Sequence, residues 1–223
     1  KDASVSGSQQ VGGIVGAAEE GSVIRNVSFS GEVHGDNTEN VAGGIVGKLK
    51  QSTLENAYHA GTVEGNSFVG GIVGFAYQQN TIQNVRNAGK VLGNAEFLGG
   101  IAGTLYESTL ENAYNEGTVE GKKIVGGIAG ALDNSTLQNA WNTGTVAGSQ
   151  KVGGIVGEAD GGSIRHAVWK TGSAVQAVGA SSNGTDVTDV KVAPEADMKL
   201  AATYTDWKDA NGNAVVATEG GVG

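Results

Sequence analysis

The feature that most constrains the fold is a glycine pair that recurs at nearly constant intervals. The pattern Gly-Gly-Ile-(Val/Ala)-Gly occurs six times, at intervals of 31, 27, 29, 27 and 27 residues. Its copies start at Gly12, Gly43, Gly70, Gly99, Gly126 and Gly153. A period of this length is typical of solenoid proteins, in which each repeat is one small structural unit stacked on the next.

Two further blocks hold fixed places inside the repeat. Residues 54–58 read Leu-Glu-Asn-Ala-Tyr, and closely similar segments stand at 110–114 and 137–141. The block Gly-Thr-Val-Glu-Gly at 61–65 begins five residues after the asparagine of the first of these segments. The blocks are short runs rich in Val, Ile and Thr, punctuated by Gly, Asn and Ser, and this pattern indicates short strands and tight turns.

The sequence therefore predicts an all-β fold, a right-handed parallel β-helix (β-solenoid) with three short strands per repeat. About six coils of ~27 residues stack so that each strand pairs with its equivalents above and below, and the crossover rule favours right-handed winding. Equivalent side chains then form ladders. Three apolar ladders and one asparagine ladder are predicted: Ile14, Ile45, Ile72, Ile101, Ile128 and Ile155; Ile24, Leu54, Ile82, Leu110, Leu137 and Ile164; Val33, Val63, Val91, Val119 and Val146; Asn26, Asn56, Asn84, Asn112 and Asn139.

Composition excludes several other classes. Glycine makes up 39 of 223 residues beside a single proline, which rules out collagen, and the chain has no cysteine for a disulfide framework. No stretch of 18 or more apolar residues occurs, so membrane insertion is not expected. The net charge of −9 argues against nucleic acid and anionic membranes as partners.

The Gly-Gly-Ile-Val-Gly blocks and their Asn-Ala-Tyr and Gly-Thr-Val-Glu-Gly continuation resemble the GLUG repeat family, over residues 5 to about 179. Members of that family occur in large bacterial secreted and surface proteins. These include filamentous-haemagglutinin-like adhesins and the non-catalytic parts of immunoglobulin-A-cleaving metallopeptidases. The resemblance implies an extracellular or cell-surface location.

The two ends of the chain depart from the repeat. The chain starts inside a repeat, which we interpret as an excised fragment of a larger parent chain. We divide it into a solenoid at 1–179 and a small mixed C-terminal cap, or start of a next module, at 180–223. Within the second part we predict a strand over 187–192, a short helix over 194–202 beginning at a proline, and a hairpin turn at Asn211-Gly212.

The candidate binding residues are aromatic. Tyr58, Tyr114 and Trp141 follow the ladder asparagine by two residues, and Trp169 follows His166 by three. These four side chains could project together as a stripe that binds a glycan or a protein, although packing at a corner of the coil is the simpler explanation.

No catalytic constellation stands out, so we predict neither catalytic residues, a metal site nor a cofactor. Asp133 and Asp160 occupy the same place in successive repeats and could form an acid/base pair or a cation site, but two solvated acids are the simpler interpretation. The histidines His34, His59 and His166 are expected to be solvated surface residues.

The leading functional hypothesis is a non-catalytic segment of a bacterial surface or secreted adhesin, a rigid scaffold that presents a surface to host protein or glycan. Two alternatives stay open. One is a spacer or substrate-positioning segment of a large secreted peptidase, whose zinc motif would lie outside this chain. The other is a carbohydrate-active β-helix enzyme.

Overall fold

The computed structural model describes residues 3–94, 96–199, 217–218 and 221–222. Over these residues the chain forms a parallel β-solenoid of about seven turns, and a complete turn contributes one strand to each of four parallel sheets. We name the sheets A to D in the order in which a turn visits them. The predicted all-β solenoid is thus confirmed, with four strands per turn rather than the three that were expected.

Sheets A and B have six strands each. The strands of sheet A are Ser4–Gly7, Glu32–Gly35, Thr62–Gly65, Lys90–Gly93, Val119–Glu120 and Val146–Ala147. The strands of sheet B are Gln10–Gly12, Val41–Gly43, Phe68–Gly70, Phe97–Gly99, Ile124–Gly126 and Lys151–Gly153.

Sheets C and D have seven strands each. The strands of sheet C are Val15–Ala18, Val46–Lys50, Val73–Tyr77, Ala102–Tyr106, Ala129–Asp133, Val156–Asp160 and Val178–Ser182. The strands of sheet D are Val23–Phe29, Thr53–His59, Thr81–Asn87, Thr109–Asn115, Thr136–Asn142, Ser163–Lys170 and Asp186–Ala193.

The extra strand in the turn arises at the glycine pair. The pair ends a strand of sheet B, and the chain then bends at the following isoleucine into sheet C. At Gly71, an added Cβ would lie 2.1 Å from the carbonyl oxygen of Gly100 in the next turn, so only glycine permits this spacing. The Gly-Gly-Ile block is therefore a corner between two strands rather than one strand.

The interior consists of two separate apolar cores. The larger one lies between sheets C and D and contains the isoleucine that follows each glycine pair from Ile45 onward, and the smaller one lies between sheets A and B. The predicted apolar ladders are buried in these cores, with Ile45, Leu54 and Val63 all fully covered. The two first-turn members are the exceptions. Ile14 is 46% exposed and Ile24 is half-buried, because within the described residues no turn covers them on their outer side.

The asparagine ladder is confirmed, and its conformation explains the residue type. Asn26, Asn56, Asn84, Asn112 and Asn139 have φ between 52° and 56°, the left-handed region that asparagine tolerates better than most residues. Each side-chain amide from Asn56 onward donates to the amide oxygen of the preceding turn at 2.9–3.1 Å. We call this row the outer asparagine ladder; it bends every strand of sheet D that it crosses.

Beyond residue 177 the solenoid continues in two sheets. Val178–Ser182 and Asp186–Ala193 pair in parallel with the sixth-turn strands of sheets C and D, so a partial seventh turn follows the six that were expected. The predicted strand over 187–192 is confirmed by the second of these. Asp189 even takes the left-handed conformation of the ladder asparagines, with φ of 50°.

The helix predicted over 194–202 is present only as a short 3₁₀ turn, Asp197–Lys199, within the described residues. Ala217–Thr218 and Gly221–Val222 form an antiparallel pair. The hairpin turn predicted at Asn211-Gly212 lies outside the described residues. Among the described residues no helix is long and apolar enough to cross a membrane.

Candidate functional site

The predicted aromatic stripe lies on the outer surface of sheet D. In each strand the left-handed residue, an asparagine in five of the seven, bends the chain. The next residue points into the core and the one after it points outward. Ala57 is thus buried while Tyr58 is half-exposed. In order along the solenoid, this outward row contains Ser28, Tyr58, Arg86, Tyr114, Trp141, Val168 and Lys191.

Arg86 joins the two tyrosines of the row. Its guanidinium carbon lies 5.5 Å from the ring centre of Tyr58 and 5.6 Å from that of Tyr114, so the cation is held between two aromatic rings. Its Nε and Nη2 donate to Oε2 of Glu116 at 3.1 and 2.7 Å. The hydrogen bond to Glu116 raises the pKa of Arg86, which stays charged. We call Tyr58, Arg86, Tyr114 and Trp141 the aromatic–arginine row.

The aromatic–arginine row is covered by other side chains at its C-terminal end. The rings of Tyr114 and Trp141 stack with centres 5.1 Å apart, and Trp141 is only 3% exposed. Val168, Ala193 and Met198 pack against it and form a small apolar cluster outside the main cores. Burial raises the pKa of Tyr114 to about 12, so its hydroxyl stays protonated.

A cavity of about 330 Å³ opens beside these rings. Its walls combine aromatic, hydroxyl and charged groups: Tyr114, Glu116, Trp141, Thr143, Lys170, Glu195, Met198 and Lys199. Glu195 lies 3.6 Å from the amine of Lys170 and 3.9 Å from that of Lys199. Aromatic surface beside a few convergent polar groups is the usual make-up of a small-ligand site.

Trp169, the fourth member of the predicted stripe, does not lie in this row. The register pairs it with Asn142, whereas Val168 takes the place next to Trp141. Because Trp169 is three residues after the bend and not two, strand alternation turns it inward, where it is 8% exposed and packs in the larger core. The structure thus brings together Tyr58, Tyr114 and Trp141 but separates Trp169 from them.

The same alternation overturns the prediction for His59, which is fully buried and not solvated. Its Nδ1 donates to Oδ1 of Asn87 at 3.0 Å, and its Nε2 accepts from the backbone N–H of Gly61 at 3.3 Å. Burial lowers its pKa. His34 is exposed as expected, and His166 is half-buried at the place of a ladder asparagine.

His59 opens a buried polar ladder that was not predicted. Asn87 donates to Asn115 at 3.0 Å and Asn115 donates to Asn142 at 2.8 Å, and the three asparagines are fully buried. Each also accepts from the N–H and donates to the carbonyl oxygen of the glycine two residues later. We call this row the inner polar ladder. The sequence signal for this ladder was a second asparagine that follows the outer-ladder asparagine by three residues in adjacent repeats.

Asp133 and Asp160 are neighbours in sheet C, as their shared place in the repeat suggested. Asp133 accepts from its neighbour Asn134 at 2.8 Å, and Asp160 accepts from Ser182 at 2.8 Å and from Asn183. Partial burial and then the charge of Asp160 raise the pKa of Asp133. Among the described residues no group of three or more His, Cys, Asp or Glu side chains is arranged to hold a metal ion.

A four-ring patch on the outside of sheets B and C was missed by the sequence analysis. Phe68, Phe75, Tyr77 and Phe97 stack there, half-buried, with successive ring centres 4.9–5.3 Å apart. We call it the aromatic patch. The signal was an aromatic residue two places before each of two successive glycine pairs, in a position occupied elsewhere by Gln10, Val41, Ile124 and Lys151.

These features define the class: a parallel β-solenoid built from short glycine-cornered repeats. Residues 7–33 match the model of the GLUG motif, which confirms the predicted resemblance at the first of the six copies. No curated protein matches the chain.

Proposed function

We propose that this chain is a non-catalytic structural and binding segment of a bacterial surface or secreted adhesin, exposed outside the cell. The GLUG motif and the solenoid fold support a structural repeat segment. The observation that carries the binding role is the cavity beside Tyr114 and Trp141, where aromatic rings meet the charged groups of Lys170 and Glu195. A site of this make-up suits a glycan or a polar segment of a host protein.

The test is binding of the purified chain to immobilised glycans and host matrix proteins. Lys170→Ala and Thr143→Val alter the cavity wall without removing a core side chain, and each is expected to weaken binding about tenfold, the effect of losing one charged or polar contact. Ser28→Ala is the matched control, because Ser28 lies in the same outward row but five turns away from Val168. If all three variants bound as tightly as the unmodified chain, the cavity would have no role in binding.

The spacer alternative makes a different prediction. A passive segment of a secreted peptidase binds neither glycan nor host protein by itself, so the absence of binding in that test would favour it over the adhesin. A peptidase zinc motif elsewhere in the parent chain would support it further.

The enzyme alternative has one specific observation in its favour. Asp133 and Asp160 are adjacent, and the raised pKa of Asp133 is a property that general acids share. Glycan cleavage that is abolished by both Asp133→Asn and Asp160→Asn would support this function. Cleavage unaffected by these changes would exclude this pair as its catalytic groups.

A further inference from the structure

The aromatic patch is a surface that the proposed function does not use. Phe68 and Phe97 of sheet B are nearly parallel, at 3° with ring centres 5.2 Å apart, and Phe75 and Tyr77 of sheet C continue the stack. Because the rings cover one another's faces, they present mainly their edges to the outside. Such a surface favours apolar contact with another protein over stacking on a sugar ring.

The side chains around the patch are ordered along the solenoid in two parallel rows. Sheet C carries the row Lys50, Tyr77, Tyr106 and Asp133, one residue per turn. Sheet B carries beside it the row Val41, Phe68, Phe97 and Ile124. Over these four turns the sheet B row has the order aliphatic–aromatic–aromatic–aliphatic in either direction. The sheet C row has two central aromatic residues, a cation at one end and an anion at the other, and Asp160 continues it beyond the anion.

We propose that this face binds a second copy of the same chain, with the two solenoids antiparallel. A two-fold axis that crosses the solenoid between the turns of Tyr77 and Tyr106 places Phe68 of one copy opposite Phe97 of the other. The same axis places Lys50 opposite Asp133 of the second copy, and it does so twice. Such an interface is isologous, the commonest type in protein dimers.

The charges at the two ends support a second copy over an unrelated partner. Lys50 lies over the Tyr77 ring at 5.6 Å. Among the described residues neither Lys50 nor Asp133 belongs to an ion pair, whereas Lys48, which also lies over Tyr77, pairs with Glu19. Asp133 stands beside Asp160, and within the part of the chain that the structure describes neither carboxylate belongs to an ion pair. The lysine of a second copy supplies a cation to this anionic end. Apolar contact supplies most of the affinity of such an interface, and the charges set its register.

The inference is tested by sedimentation equilibrium of the whole chain over a range of concentrations. The unmodified chain is expected to form dimers. Lys50→Asp alone and Asp133→Lys alone each place two pairs of like charges in contact, so each is expected to weaken dimerisation at least about tenfold. The double variant Lys50→Asp/Asp133→Lys restores both pairs with exchanged signs and is expected to dimerise like the unmodified chain.

A mixture of the two single variants separates this register from any other. In a heterodimer of Lys50→Asp with Asp133→Lys both contacts are again between opposite charges, so an equal mixture is expected to dimerise more strongly than either variant alone. Lys90→Asp is the control, since it makes the same charge change at an exposed position of sheet A. A circular dichroism spectrum confirms that each variant is folded.

A zero-length carbodiimide cross-linker provides a second measurement. Lys50 and Asp133 of one chain are three strand spacings apart, about 14 Å, so an amide between them forms only across two chains. A covalent dimer containing that linkage is expected. A chain that stays monomeric, a dimer indifferent to both charge reversals, or a double variant no better than the single ones would overturn the proposal.

Discussion

Two ladders of asparagines run side by side through sheet D, and they exist for different reasons. Asn112 belongs to the outer asparagine ladder and Asn115, three residues later, to the inner polar ladder. Asn112 has a φ of 54° and bonds to Asn84 and Asn139. Asn115 has no such backbone requirement, is fully buried and uses both donors and both acceptor positions of its amide.

The comparison teaches that a repeated residue type does not reveal its own role. At the outer position the backbone selects asparagine because few other residues tolerate a left-handed bend inside a strand. At the inner position hydrogen bonding selects it, because only a side chain with two donors and two acceptors satisfies its neighbours in the ladder and the following loop. Substitutions at this matched pair separate the two causes.

The largest effect is expected for Asn115→Ala. It leaves the N–H and the carbonyl oxygen of Gly117 without a partner in a buried place and interrupts the ladder between Asn87 and Asn142. We expect a loss of at least about 3 kcal/mol in the free energy of unfolding, measured by urea denaturation. Asn115→Gly should be equally damaging; a full recovery with glycine would show that the backbone matters there after all.

A pH-dependent effect is expected at His59, where the inner polar ladder contains a titratable group. Burial holds its folded-state pKa below the ordinary value of 6.5, so the unfolded chain binds the proton first. The stability contributed by neutral His59 is present above pH 6.5 and is lost as the pH falls from 6.5 towards the folded-state pKa, by up to about 1.4 kcal/mol per pH unit.

His59→Asn is the matched variant for this prediction. It extends the asparagine series of Asn87, Asn115 and Asn142 by one member and removes the titrating group. Urea denaturation between pH 7.5 and pH 5 (about the range of histidine titration) should show a smaller decrease in stability for the variant than for the unmodified chain. Parallel curves for the two proteins would contradict the assignment of the acid sensitivity to His59.

The smallest effect is expected in the outer asparagine ladder. Asn112→Ala should cost about 1–2 kcal/mol, mostly because alanine is strained at a φ of 54°. Asn112→Gly removes that strain and should recover about 1 kcal/mol of the loss, in contrast with the inner position. If alanine and glycine were equivalent at residue 112, the amide–amide bonds and not the bend would account for the asparagine.

Much of the fold could be predicted because repetition makes equivalent residues neighbours. The core ladders of Ile45, Leu54 and Val63 and the adjacency of Asp133 and Asp160 all follow from the repeat spacing. The orientation of His59 and Trp169 did not follow, since both lie beyond a bend that shifts the alternation of inward and outward side chains. Tyr58, Tyr114 and Trp141 therefore share the outward row of sheet D, whereas Trp169 faces the core. Ligand binding by this row stays a prediction.

The sequence alone determined that this chain is a stacked parallel solenoid, because only stacking makes a period of about 27 residues bury the same positions in every turn. The tertiary structure decided which side each of those positions faces, because the left-handed residue at the centre of each sheet D strand reverses what a simple alternation predicts. It also decided which surfaces adjoin, because the corner at each glycine pair brings the outer face of sheet B next to that of sheet C. The aromatic patch exists only as a result of that corner.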